Sequence, residues 1–206
     1  MDVYNLPGHA GLLQIIDFYA RNNETLAAVS GPGQYNDYDM LLAGNAGLSV
    51  AEAKIQMGMW SMWSAPLTMS GDLRTIAPEF IDVLLNDEVI AIDQDPLSAS
   101  AKGTILVNNS DVMSAQISVW HKPLADGSRA VALLNTGVFD ASSHNLTITA
   151  SMIGLQQGSS FSARSLWERR ELGEFRGSAQ FWLEPISILM LKVTAKTFPS
   201  LETIWL

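Results

Sequence analysis

Two aspartates separated by one residue, Asp37 and Asp39, lie beside an apolar run. Two carboxylates at this spacing are candidate catalytic or ligand-binding groups. They lie in the segment Ser-Gly-Pro-Gly-Gln-Tyr-Asn-Asp-Tyr-Asp-Met at residues 30–40, where glycine and proline indicate a turn. In an extended chain, residues i and i+2 point to the same side, so both carboxylates would face one way. The segment is typical of a strand end that leads into a functional loop. The alternative is a surface turn with solvated acids.

Five motifs follow one another between residues 31 and 97. They are Gly-Pro-Gly-Gln-Tyr-Asn-Asp-Tyr-Asp-Met-Leu (31–41), Gly-Asn-Ala-Gly-Leu-Ser (44–49), Gln-Met-Gly-Met-Trp (56–60), Ala-Pro-Leu-Thr-Met-Ser-Gly-Asp-Leu-Arg (65–74) and Asp-Gln-Asp-Pro-Leu (93–97). In this order they resemble glycoside hydrolase family 27, which includes the α-galactosidases and α-N-acetylgalactosaminidases. The first motif of that family is Gly-Pro-Gly-x-Trp-Asn-Asp-Pro-Asp-Met-Leu. Three residues of this chain depart from the family pattern, because Tyr35 replaces Trp, Tyr38 replaces Pro and Asp93 replaces Asn.

The resemblance implies retaining hydrolysis by two aspartates, one attacking the anomeric carbon and the other donating and then accepting a proton. The family nucleophile lies in a Lys-x-Asp motif, which does not occur before Ser30, so we expect it to be absent. Asp2, 37 positions before Asp39, matches the acid/base aspartate, and the alternative is a solvated terminal residue. Asp39 and Met40 match residues at the rim of the sugar pocket. There the carboxylate would accept hydrogen bonds and the thioether would pack on the sugar ring.

The other polar residues of these motifs are predicted to support the fold. Asn36 and Asp37 would satisfy backbone amides in the loop. Asp72 and Arg74 could form an ion pair near the barrel mouth.

Asp93 and Asp95 are expected to cap a turn before Pro96. The three histidines lack ligand spacing, which disfavours a metal site, and the reaction implied by the resemblance needs no metal or nucleotide. These histidines are His9, His121 and His144.

Residues 1–97 are predicted to alternate helices and short strands, as the last units of a (β/α)8 barrel. Because closure takes eight strands and the pattern offers two, the resemblance covers only about the last quarter of the catalytic barrel. The predicted elements are a helix over 11–20, a short strand or a connecting segment at 26–29, a helix that begins with a capping box at Ser49 and Glu52, a strand at 67–70 and a helix that opens around Pro78.

From about residue 104 the apolar residues recur with period two between glycine-rich turns, which predicts an antiparallel β-sandwich. We therefore divide the chain into a barrel part (1–97), a sandwich domain (98–196) and a tail (197–206). The predicted strands are 117–120, 130–134, 146–149, 161–167, 180–183 and 186–193, separated by turns at 126–127, 137, 158, 173 and 177.

The chain of 206 residues has a formal charge of −9 and a pI near 4.6, which disfavours nucleic acid or an anionic membrane as a partner. It has no cysteine and no run of 18 apolar residues. The family resemblance, the acidic balance and three N-glycosylation sequons suit a lysosomal or secreted protein, whose signal peptide would lie upstream of Met1. The complete protein is expected to be a homodimer.

The resemblance implies hydrolysis of terminal α-linked galactose or N-acetylgalactosamine by the intact enzyme, with this incomplete chain inactive alone. One alternative is a non-catalytic module whose exposed tryptophans bind carbohydrate or a partner chain. Another is a chain that folds only by completing a barrel with a second polypeptide.

Overall fold

The computed structural model describes residues 9–45, 47–108, 116–137 and 143–196. Within these ranges a helical segment precedes a β-sandwich. Its helices are α1 His9–Arg21, α2 Asn23–Ala28, α3 Val50–Met62, α4 Pro78–Leu84 and α5 Asp87–Asp93. Of the described helices, none is both long and apolar enough to cross a membrane.

Helix α1 forms where an apolar stripe was predicted, and it ends at Arg21 as expected. Leu12, Ile15, Ile16 and Tyr19 are all buried, so the stripe faces the core.

The short strand predicted at 26–29 is wrong. Residues 26–28 belong to α2, in which the Leu26 amide donates to the Asn22 carbonyl at 3.0 Å. A four-residue apolar run carries no periodicity that separates a strand from a helical turn.

Helix α3 begins with the predicted capping box. The Ser49 hydroxyl accepts from the Glu52 amide, and the Glu52 carboxylate accepts from the Ser49 amide at 2.7 Å. The helix ends at Met62, before Pro66. Nearly every residue from Glu52 onward is buried, because α3 packs between the other helices and the sandwich.

Two extended segments before and after α3 lie side by side and parallel. The Leu41 amide donates to the Thr68 carbonyl at 2.8 Å, and the Ser70 amide donates to the Leu41 carbonyl at 3.2 Å. The strand predicted at 67–70 is thus reduced to one parallel bridge between Leu41 and Met69. A strand, a helix and a parallel strand in this order form a βα unit of a barrel.

The sandwich consists of a six-stranded antiparallel sheet in the order β1-β2-β3-β8-β5-β6 and a two-stranded sheet, β4-β7. Every strand predicted in the sandwich has a counterpart, although β5 ends before a turn that begins at Leu166. The strands are β1 Lys102–Asn108, β2 Gln116–Pro123, β3 Arg129–Asn135, β4 His144–Thr149, β5 Ser160–Ser165, β6 Arg170–Arg176, β7 Ser178–Leu183 and β8 Ser187–Lys196.

Strand β6 was not predicted, because Gly173 was interpreted as a turn between strands. Gly173 lies inside β6 opposite Ala163, where the β5–β6 register shifts. Its φ of +108° is one that L side chains rarely adopt. Glycine is favoured both at an irregularity within a strand and at a turn between strands, so Gly173 alone did not distinguish the two structures.

Strand β3 separates two hydrophobic cores. Its even-numbered residues Ala130, Ala132 and Leu134 face the helices, while Val131 and Leu133 face the two-stranded sheet. The helical segment therefore packs directly on the six-stranded sheet, with α3 against β3 and β8.

Candidate active-site loop

The segment that leads to the parallel bridge has an unusual backbone at Asp39, which lies in the left-handed region with φ of +68°. A residue other than glycine stays there only when its surroundings hold it, and such residues are frequent at functional sites. The extended conformation assumed for residues 37–39 is therefore wrong at Asp39. Short polar side chains tolerate this region best, because they can hydrogen-bond locally.

Two side chains of α3 hold the backbone from Asp39 to Leu42. The indole Nε1 of Trp60 donates to the Asp39 carbonyl at 2.8 Å. The amide of Gln56 donates from Nε2 to the Met40 carbonyl at 3.1 Å and accepts from the Leu42 amide at Oε1 at 2.8 Å. Gln56 and Trp60 are almost completely buried, so both side chains are fixed by packing.

The sequence contained a signal for these two residues. Gln56 and Trp60 are four positions apart in the Gln-Met-Gly-Met-Trp motif, a spacing that places both on one face of a helix. They were quoted only as part of a family motif, and their role in holding the loop was missed.

The carboxylates of the loop turn toward neighbouring amides. Asp37 accepts from the Asp39 amide at 2.9 Å, which confirms the predicted structural role of Asp37. The Oδ1 atom of Asp39 accepts from the Met40 amide at 2.7 Å. The side chains of Asp39 and Met40 are half-buried, so a ligand can approach both.

Tyr38 explains how the loop accommodates a residue that departs from the family motif. Its ring is buried and stacks on Trp63 at 4.9 Å with an interplanar angle of 8°. The ring of Tyr19 contacts both of these rings, with its centroid 4.1 Å from that of Tyr38 and 5.4 Å from that of Trp63, and its hydroxyl donates to the Asp37 carbonyl at 2.6 Å. Burial raises the pKa of Tyr38, and it raises that of Tyr19 to about 12. Both phenols therefore stay neutral.

The predicted ion pair between Asp72 and Arg74 is present. Arg74 donates from Nε at 2.9 Å and from Nη2 at 2.7 Å to the two oxygens of Asp72. This hydrogen bonding lowers the pKa of the Asp72 carboxyl. Both side chains are exposed, so the pair orders the turn after the bridge and contributes little stability.

The two aspartates of the Asp-Gln-Asp-Pro-Leu motif differ in their surroundings. Asp95 caps a turn as predicted, because its carboxylate accepts from the amides of Leu97 at 3.0 Å and Ala125 at 2.9 Å. Asp93, the last residue of α5, has a buried Oδ1 with no hydrogen-bond partner among the described residues. It lines a cavity of about 330 Å³ together with Tyr35. The turn-capping role expected for Asp93 is therefore wrong.

A buried lysine of the sandwich lies near Asp93 and caps α3. Lys122 donates from Nζ to the Ser61 carbonyl at 2.8 Å and to the Ser64 hydroxyl at 2.7 Å. A cation is favourable at a helix C-terminus. Burial raises the pKa of Asp93 to about 7, although the charge of Lys122 opposes this shift. Burial lowers the pKa of Lys122 to about 8, against the charges of Asp93 and Asp95.

Asp2, the predicted acid/base, lies outside the described residues. Burial lowers the pKa of His121. Across the part of the chain that is described, no group of three or more histidine, aspartate or glutamate side chains could hold a metal ion.

Two family profiles match the two halves of the chain. Residues 2–95 match the profile described as Alpha galactosidase A, and residues 114–193 match the Alpha galactosidase C-terminal beta sandwich domain.

Relatives and solved structures agree with these profiles. Rat alpha-N-acetylgalactosaminidase is 41% identical over 124 residues, which cover 60% of this chain and 28% of the rat protein. Alpha-galactosidase 3 of Arabidopsis thaliana is 37% identical over 150 residues, which cover 72% of this chain and 32% of the plant protein. Alpha-galactosidase I of Mortierella vinacea superposes with a TM-score of 0.74 at 25% identity, over 88% of this chain and 44% of that structure.

The fold is that of the end of a glycosidase barrel joined to its C-terminal β-sandwich. The chain belongs to glycoside hydrolase family 27, the family of the α-galactosidases and α-N-acetylgalactosaminidases. It spans between 22% and 42% of the length of the curated relatives reported for it.

Proposed function

We propose that this chain forms part of a retaining glycosidase that hydrolyses terminal α-linked galactose or N-acetylgalactosamine. The proposal is supported by the left-handed conformation of the Asp39 backbone, which side chains from α3 hold in place. Fixing the backbone at Asp39 and Met40 limits where the Asp39 carboxylate and the Met40 thioether can lie. Such preorganisation is what a sugar-binding rim requires.

In the proposed mechanism, the Asp39 carboxylate accepts a hydrogen bond from a sugar hydroxyl, while Met40 packs on the ring. Asp2 donates a proton to the glycosidic oxygen as a nucleophilic aspartate attacks the anomeric carbon. Asp2 then takes a proton from the water that releases the sugar. No Lys-x-Asp triplet occurs in the 206 residues, so we assign the nucleophile to a polypeptide segment other than this one.

A complementation experiment tests this assignment. The 206-residue chain is co-expressed with the remaining barrel segment of a family member, and hydrolysis of an aryl α-galactoside is measured. We expect turnover only in the mixture, and a loss of at least about tenfold for Asp39→Ala. Asp82→Asn, an exposed change on α4, is the matched control and should leave turnover unchanged. Robust turnover by the pure chain alone would refute the assignment of the nucleophile.

One observation favours the alternative of a non-catalytic binding module. Trp182 is 61% exposed, in contrast to the buried Trp60, Trp63 and Trp120. A galactose titration followed by tryptophan fluorescence separates the two functions, because the module would bind sugar without any complementing segment. No response in that titration would exclude galactose binding by Trp182.

We further propose a lysosomal or secreted location and a homodimeric state for the completed protein. Its partner would be an α-galactoside or an α-N-acetylgalactosaminide. The net charge of −9 supports an acidic compartment, because protonation of carboxylates there reduces repulsion between them.

A further inference from the structure

The solvent face of the two-stranded sheet carries a single tryptophan among amide and hydroxyl side chains. Along β4 and β7 the exposed residues lie in directly opposed pairs, and each pair joins one residue of either strand. The pairs are Asn145 with Trp182, Thr147 with Gln180, and Thr149 with Ser178. The other face of this sheet packs on the sandwich core, so this outer face alone is open to a ligand.

Trp182 is oriented by a chain of hydrogen bonds. Its Nε1 donates to Glu184 Oε1 at 2.7 Å, and the Ser143 hydroxyl donates to Glu184 Oε2 at 2.8 Å. The indole edge is thus fixed while the side chain stays 61% exposed. The indole therefore presents a fixed apolar surface to solvent, and a partner can pack on such a surface.

The structure distinguishes between the chain's N-glycosylation sequons. Asn23, the first residue of α2, donates from Nδ2 to the Ala20 carbonyl at 2.9 Å and accepts from the Gly103 amide at 3.5 Å. Its amide is therefore engaged at both atoms. The sequon at 108–110 extends beyond the described residues. Asn145, in the sequon Asn145-Leu146-Thr147, is exposed on the surface of β4.

We propose that Asn145 carries an N-linked glycan whose first N-acetylglucosamine packs on the indole of Trp182. Residues directly opposed on antiparallel strands have Cβ atoms about 4.5–5.5 Å apart, which is close enough for the first sugar to reach the ring. The apolar C–H groups of a pyranose face match the indole surface. The amides and hydroxyls around Trp182 match the sugar hydroxyls, and the face presents no charged side chain within the paired rows.

The attachment is a group transfer from a lipid pyrophosphate-linked oligosaccharide. The amide nitrogen of Asn145 forms a bond to C1 of the sugar while the bond from C1 to the pyrophosphate oxygen breaks. The lipid pyrophosphate leaves with that electron pair, and the amide nitrogen loses one proton. The inference goes beyond the proposed hydrolase and shares with it only the secretory location.

The test is secretion of the 206-residue chain from insect or mammalian cells behind a cleavable leader, followed by peptide mass spectrometry. Because the leader supplies entry to the secretory pathway, the result does not depend on the proposed activity. We expect a glycan on Asn145 and none on Asn23. An unmodified Asn145 would overturn the proposal.

The packing on Trp182 is tested by trimming the glycan to one N-acetylglucosamine with an endoglycosidase and measuring Tm. Relative to Asn145→Gln, the single sugar should raise Tm by about 2 °C. The increment should vanish in a Trp182→Ala background and persist in Trp182→Phe. An equal rise in Tm with and without Trp182 would show that the sugar does not pack on this side chain. If a free neutral oligosaccharide instead quenched the fluorescence of Trp182 in a chain whose Asn145 is unmodified, this face would be a binding site for external sugar, and the proposal would be overturned.

Discussion

At the scale of single residues, the departure of Asp93 from the usual asparagine places a titratable, partly buried group near the fully buried Lys122. With a pKa of about 7 in the folded chain and 3.8 ordinarily, the carboxyl binds its proton more tightly when folded. Its contribution to stability is therefore full below about pH 4 and is lost as the pH rises through 7. Lys122, with a pKa lowered to about 8, adds stability only as the pH rises from there toward 10.5.

Asp93→Asn should remove the fall in stability between pH 4 and 7. At pH 8 the variant should be more stable than the parent by about 1–3 kcal/mol, because desolvation of the Asp93 carboxylate outweighs its attraction to Lys122. Urea unfolding at a series of pH values measures the effect. Asp82→Asn, which alters an exposed carboxyl, should reproduce the parent profile. Parallel profiles for the parent and Asp93→Asn would show that Asp93 does not titrate in this range.

Gln56→Leu tests the clamp on the candidate active-site loop. The change leaves the Leu42 amide and the Met40 carbonyl without their partner, which should cost about 2–6 kcal/mol, since each unpaired group costs about 1–3 kcal/mol. The free energy of unfolding from urea titration gives the cost. The exposed Gln94→Leu serves as control and should stay within about 0.5 kcal/mol of the parent. A similarly small effect for Gln56→Leu would mean that the loop does not depend on this side chain.

The role of a single residue could be predicted from the sequence only where its hydrogen-bond partners are close to it along the chain. Asp95 and Asp37 bond to amides within two residues, and local pattern was enough to predict these roles. Asp93, Lys122 and Gln56 owe their roles to partners far along the chain or to burial. The sequence alone does not report such environments, so the clamp and the buried pair emerged only from the structure.

At the scale of elements, the capping box of α3 offers a direct test. Ser49→Ala removes the acceptor for the Glu52 amide and should destabilise the chain by about 1 kcal/mol. Ser49 is exposed, so no core packing changes with it. Ser49→Thr keeps the hydroxyl and should recover most of the loss. Equal destabilisation by alanine and threonine would show that the cap does not act through its hydroxyl.

Gly103 in β1 should tolerate no side chain. A Cβ there would lie 2.5 Å from the ring of Trp120, which is fully buried and held by a hydrogen bond to Ser118. Because this ring cannot move aside, Gly103→Ala should cost about 1–3 kcal/mol in thermal or urea unfolding. Gly31→Ala, where nothing lies within 4 Å, is the matched control and should be near neutral. A neutral Gly103→Ala would mean that Trp120 can repack.

The elements that could be predicted are those with a strong local pattern, such as the apolar stripe of α1 and the alternation along β7. The strand β6 has the pattern of an edge strand, with charged residues and little burial, so its sequence lacks the alternation of a half-buried strand. The parallel bridge near Leu41 depends on a contact between residues about 28 positions apart, which no local pattern specifies.

At the scale of the whole molecule, the boundary proposed at residues 97 and 98 divides the chain but not its core. One hydrophobic cluster contains Trp60 and Trp63 of the helical segment together with Trp120 and Met190 of the sandwich. Arg164 of β5 donates to both oxygens of Glu88 in α5, at 2.8 and 2.6 Å. The two segments thus share apolar burial as well as polar contacts.

We therefore expect the chain to unfold in a single cooperative transition, although its sequence divides into two parts. Separating the segments would expose the helix-facing side of β3 and the ring of Trp120 to water, and burial of apolar area is the main term that stabilises a fold. Scanning calorimetry should give one peak whose calorimetric and van't Hoff enthalpies agree. The segment 98–196 expressed alone should lack a cooperative transition at the same temperature. Two resolved peaks, or a stable isolated sandwich, would mean that the shared core contributes little and that the two segments are independent folding units.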